Sequence, residues 1–112
     1  MCAPLDFCQL VLNDKKGEHR FSSLNIIRME ASDNYTIVYF KDNRRPFVVS
    51  KVLRVYEEIL SPYGFVRTHR SHLVNKHFVK HIDNNTIIMQ DASVALITLR
   101  KRKRCVRQLL SA

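Results

Sequence analysis

The sequence predicts a mainly β fold: an elongated multi-layer antiparallel β sandwich of about ten short strands, with one internal helix and a short C-terminal helix. Three observations lead there. Short runs rich in β-branched and aromatic residues recur at close spacing, bounded by Asn, Asp and Ser. A strong helical periodicity occurs once in the first 98 residues. Some strands, Val38-Tyr39-Phe40 among them, are apolar at consecutive positions, which suits burial on both faces and so more than two packed layers.

The elements follow in chain order. Leu5 to Leu12 is short and apolar and runs into Asn13-Asp14-Lys15-Lys16-Gly17, a strand and then a turn, with His19 to Ser22 returning. Ile26 to Glu30 is a strand, and Ala31-Ser32-Asp33-Asn34 interrupts it. Tyr35 to Phe40 is the clearest strand of the chain. Lys41 to Arg45 turns the chain into the strand at Pro46-Phe47-Val48-Val49. Ser50 is placed to cap a helix in which Val52, Val55, Tyr56 and Ile59 recur at helical spacing with Leu60 beside them. Pro62 and Gly64 close it. Strands then follow at Phe65–Thr68, His72–Val74, Phe78–Ile82, Thr86–Met89 and Val94–Leu99. The run from Arg100 to Leu110 ends the fold as a short helix with Cys105, Val106, Leu109 and Leu110 on its apolar face.

At 112 residues the chain has the length of one domain, with no internal repeat or linker. Hydrophobic residues at 46% and charged residues at 26% argue against disorder. The net charge is +9 and it is uneven. Residues 1–60 carry 9 basic and 8 acidic groups, whereas residues 61–112 carry 10 basic and 2 acidic. A basic half of this kind suits a polyanionic partner, most simply nucleic acid. The three cysteines form no CxxC and no even framework, which fits reduced thiols in a cytoplasmic protein. No apolar run approaches a membrane span, and Met1 to Leu12 lacks the basic start of a signal peptide.

The segment Phe65-Val66-Arg67-Thr68-His69-Arg70-Ser71-His72-Leu73-Val74-Asn75 carries the most chemistry. It crowds Arg67, His69, Arg70, Ser71 and His72 between two apolar strands. An Arg fork matches phosphate or guanine O6 and N7, and Ser or neutral His can bond phosphates or base edges. The competing reading is a polar hairpin that bonds its own backbone. The stretch from Arg67 to Asn75 resembles the signature of the LytTR domain, the LytR/AlgR-type DNA-binding domain of bacterial response regulators, in its His-Arg-Ser and Val-Asn steps. Ile27 to Tyr35 is similar to that family's first motif, Ser50 to Leu60 to its helix, and Ile97-Thr98-Leu99-Arg100-Lys101-Arg102 to its closing strand and basic exit. The resemblance covers residues 20–110.

The resemblance implies sequence-specific binding of double-stranded DNA by loops at the sheet ends, which enter successive major grooves of direct-repeat promoter sites bound by a pair of copies. It also implies a receiver domain or sensor-kinase pathway upstream. The contact residues it implies are Asp33, Asn34 and Tyr35 in a first loop, His69, Arg70 and Ser71 in a second, and Arg100, Lys101 and Arg102 in a third. Arg70 holds the family's contact position in the second loop. Arg100 stands where serine is common, which leaves Arg100 and Lys101 both open as the base-reading residue. Arg67, Lys103 and Arg104 join them as phosphate contacts, the last two from a tail in which six of the eight residues 100–107 are basic.

Other chemistries are poorly served. His69 with His72 and His77 with His81 have spacings that invite zinc, but no neighbouring Cys or carboxylate completes a ligand set. Scarce acidic groups and two glycines leave neither a paired-carboxylate centre nor a phosphate-cradling loop, so neither enzyme activity nor a cofactor is expected. The alternative is an RNA- or single-strand-binding β module that stacks bases on Tyr35, Tyr39 and Phe40, residues that read better as core.

Overall fold

Neighbouring residues in the middle of the chain are buried in two different directions. Ile26 and Ile27, Phe65 and Val66, and Leu73 and Val74 are adjacent pairs, all buried, and the two members of each pair belong to separate apolar cores. Successive side chains of a strand point to opposite faces. The sheet that holds these pairs is therefore covered on both sides, as the consecutive apolar runs predict.

The computed structural model describes residues 7–42 and 44–111. Strands β1 (Gln9–Asp14) and β2 (Gly17–Ser22) form a hairpin. Strands β3 (Ile26–Ser32), β4 (Tyr35–Phe40), β5 (Phe47–Val49), β6 (Phe65–His69) and β7 (His72–Asn75) form the central sheet in the order β5-β4-β3-β7-β6. Strands β8 (Val79–Ile82), β9 (Thr86–Met89) and β10 (Val94–Leu96) form a third sheet in the order β10-β9-β8. All strand pairs are antiparallel. Helix α1 (Leu53–Leu60) and the first hairpin cover one face of the central sheet through Leu10, Leu12, Leu53, Tyr56 and Leu60. Helix α2 (Arg102–Leu110) and the third sheet cover the other through Ile87, Met89, Ala95, Cys105 and Leu109. The mainly β, layered architecture expected from the sequence is the one observed, with ten strands among the described residues.

Several boundaries shift, for physical reasons. Leu5 and Asp6 of the expected first strand, Cys2, and Asn43 of the turn before β5 lie outside the described residues. Ser50 does not cap α1. Val49 is still paired with Thr36 in the sheet, and the Thr36 hydroxyl donates to the Lys51 carbonyl at 2.7 Å, keeping the chain extended. The helix starts only after Val52, which caps it without a side-chain bond. Its buried face is Leu53, Tyr56 and Leu60, while Val52 and Ile59 point to solvent. At the other end, a 3-10 turn at Ser61–Tyr63 leads to Gly64, whose φ of 91° is a conformation that only glycine adopts without strain. Strand β10 stops at Leu96, and a 3-10 turn at Leu99–Lys101 precedes α2. In α2, Cys105 and Leu109 are buried as expected, but Leu110 is 71% exposed.

Candidate nucleic-acid interface

Two hairpin tips meet at one end of the central sheet. Strands β3 and β4 pair as far as Ser32 and Tyr35, leaving Asp33 and Asn34 as a two-residue tip. Asp33 takes φ 53°, a left-handed conformation that Asp tolerates better than most residues. Strands β6 and β7 pair as far as His69 and His72, leaving Arg70 and Ser71 as the second tip. Because β3 and β7 are antiparallel neighbours, with Glu30 opposite His72, the two tips share an edge. The Ala31 amide donates to the Ser71 carbonyl at 2.9 Å and ties them together.

The third segment arrives beside them. The Thr98 amide and hydroxyl both donate to the Thr68 carbonyl, at 2.9 and 3.0 Å, and the Thr68 hydroxyl donates to the Leu96 carbonyl at 2.8 Å. Thr98 is thereby fixed two residues from the second tip, and Leu99, Arg100 and Lys101 leave the sheet from there. Arg100, Lys101, Lys103, Arg104 and Arg107 line one open, basic depression on the exposed side of α2 and the turn before it. The fold thus sets the first two segments named from the sequence side by side and starts the third close to the second.

Not every named side chain is equally free. Arg70, Arg100, Lys101, Lys103 and Arg104 are exposed, as are Asp33 and Asn34, and Tyr35 is 51% exposed. Arg67 is committed to the protein: Nη1 donates to Glu57 Oε1 at 2.8 Å, Nε to the His69 carbonyl at 3.0 Å, and Nη2 to the Arg70 carbonyl. Arg102 donates Nε to the Asn84 carbonyl at 3.0 Å and Nη2 to the Asp83 carbonyl at 3.3 Å. Helical spacing explains the second case, since Arg102 lies on the inward stripe with Cys105, Val106 and Leu109. His69 Nδ1 accepts from the Ser71 amide at 3.1 Å, so this ring shapes the tip from within.

Behind the tips lies a polar cluster that sequence reasoning missed. Arg28 is only 7% exposed although it is cationic. The register shift between Ile26 and Arg28 turns its side chain toward the third sheet. There Nη1 donates to Glu30 Oε1 at 2.9 Å, Nε donates to Ser93 Oγ at 3.1 Å, and the guanidinium covers the Tyr39 ring at 4.0 Å. His72 is buried beside it, 4.0 Å from Glu30 and edge-on to His69, and its Nδ1 has no hydrogen-bond partner. Burial drives the His72 pKa down from 6.5 to about 4, with the Arg28 charge and His69 adding to the shift and Glu30 opposing it. An Arg two residues before a Glu on one strand face was a usable signal for this pair, since such residues share a side.

The local electrostatics follow from these pairs. Two carboxylates behind the second tip, Glu30 and Glu57, are each paired with an arginine. Arg70 is left as the exposed cation of that tip, and Asp33 as the exposed carboxylate of its neighbour. The His69–His72 and His77–His81 pairs show no shared metal arrangement: His81 bonds Asp83 at 2.9 Å, and no group of three or more potential ligands converges among the described residues. Nor is any helix among the described residues long and apolar enough to cross a membrane.

Comparison with known proteins points to one family. The family model of the LytTr DNA-binding domain matches residues 19–111. Among solved structures, the chain is similar to the LytTr DNA-binding domain of a Bacillus cereus protein named as a methyl-accepting/DNA response regulator. The TM-score is 0.74 at 22% identity, over 93% of this chain and 97% of that one. No curated protein matches.

Proposed function

The chain belongs to the LytTr DNA-binding domain family, and from that membership we propose that it binds double-stranded DNA sequence-specifically as a cytoplasmic transcription regulator. The observation that carries this reading is the pairing of the Asp33-Asn34 tip with the Arg70-Ser71 tip at one end of the sheet, with the basic Arg100–Arg104 segment starting close to the second and paired acids behind them. Arg70 suits guanine in a major groove, Asn34 suits adenine, and Asp33 suits the amino group of cytosine. Arg100, Lys101, Lys103 and Arg104 supply phosphate contacts, with Arg100 or Lys101 reaching a base edge. Arg67 and Arg102, whose guanidinium groups bond their own chain, act as supports of the contact loops.

Neighbouring copies on direct repeats would present the same tips to successive grooves, and a receiver domain or a sensor kinase would supply the signal. The reading needs no cofactor and no catalysis. Single-strand binding is disfavoured because Tyr39 lies under Arg28 and Phe40 is in the core, leaving Tyr35 alone of the three with an accessible ring. Selection of bound duplexes from random DNA tests the reading. Enrichment of a repeated motif is expected, and enrichment of none contradicts it.

A further inference from the structure

Resting on that duplex-DNA reading, we propose that Glu57 is a positioning residue for base recognition: acting through Arg67, it sets the β6–β7 tip that carries Arg70, from a helix on the sheet's other flank. The guanidinium of Arg67 is planar, and its donors hold a fixed fork. Here that fork spans three acceptors on two elements, namely Glu57 of α1 and the carbonyls of His69 and Arg70 at the tip. The Arg67 side chain is 19% exposed and the Glu57 side chain 40%, so the pair sits at the protein's rim with its bonds turned inward.

The rest of the tip is equally committed. The Ser71 carbonyl accepts from Ala31, and the Ser71 amide donates to His69 Nδ1. The backbone of residues 69–71 is therefore fixed before any ligand arrives, which lowers the ordering cost of binding. Without Glu57, the Arg67 cation loses its anchor and can swing to solvent, and two tip carbonyls lose their donor. Arg70 is then presented in many orientations instead of one.

Simple charge reasoning predicts something different. Deleting a carboxylate beside a basic surface strengthens binding to every DNA alike. The positioning role predicts a loss confined to the preferred sequence. The test is to measure dissociation constants of the full chain, Glu57→Ala and Glu57→Gln on the best selected duplex and on a scrambled one at a single salt concentration. Exchange of the Ser71 amide proton and of the Arg67 guanidinium Nε proton is followed in the DNA-free proteins. In Glu57→Ala the preference for the selected duplex should fall about tenfold, scrambled binding should hold or rise slightly, and both protons should exchange faster. Glu57→Gln, whose amide oxygen still accepts from Arg67, should recover part of the preference. An unchanged preference, or affinities for both duplexes rising together, overturns the proposal. If the wild type prefers no duplex, the DNA reading itself fails. The exchange rates then still decide the strut: unaltered rates refute it.

Discussion

In the proposed function Arg70 is the residue on which recognition turns, because it is the exposed cation at a tip whose backbone is already pinned. Arg70→Ala should cost about 1–3 kcal/mol on the best duplex and much less on random DNA. Equal losses on both would make it a phosphate contact. His72, behind the same tip, gives a pH signature. Its folded-state pKa lies near 4 against an ordinary 6.5, so the unfolded chain binds more protons between those values. Its contribution to stability is complete above pH 6.5 and is lost as the pH falls toward 4. At about 1.36 kcal/mol per pH unit that is up to about 3 kcal/mol. Chemical denaturation of wild type and His72→Gln across that window should show a pH slope that is steeper in the wild type. Arg70 could be found from sequence because its neighbours form a short ordered motif. Arg67 could not be sorted from it, since only the folded structure shows an arginine bonding its own loop.

At the scale of elements, helix α1 shows how tertiary pairing overrides local propensity. Ser50 is a good capping residue, yet β5 and the Thr36–Lys51 bond hold the chain extended past it. The apolar periodicity located the helix and the buried Tyr56 and Leu60, but it took Val52 and Ile59 for the inner stripe in place of Leu53, because Val52 and Leu53 are both apolar and either could begin it. The two positions should therefore respond differently to truncation. Leu53→Ala should destabilise by about 2–5 kcal/mol, whereas Val52→Ala should stay within about 0.5 kcal/mol, by urea denaturation. Similar losses at both sites would show that Val52 also packs in the core. Strands were easier to place, since Tyr35–Phe40 and Thr86–Met89 match their expected limits, with turn residues at both sides. Helix α2 was legible as a helix, but the inward turn of Arg102 became clear only from its bonds to the Asp83 and Asn84 carbonyls.

For the whole molecule, the three-layer sandwich explains why the hairpin tips can be so short. A central sheet buried on both faces holds two hairpin ends side by side, and backbone bonds between Thr98 and Thr68 bring the approach to α2 beside the second. Charge asymmetry between the chain's halves announced a polyanionic partner, and consecutive apolar runs announced the buried sheet. The meeting of residues 33–34 with 70–71 required the strand order, because β3 and β7 become neighbours across nearly forty intervening residues. In the proposed function this end of the sheet reads duplex sequence on repeated sites. The most direct measurement is selection of bound molecules from random duplex DNA, repeated with single-stranded RNA as competitor. Two copies of one motif in the same orientation, spaced by about one helical turn of roughly 10–10.5 base pairs and retained against the RNA, are the predicted result. A pool without any enriched motif, or one displaced by the RNA, would contradict it.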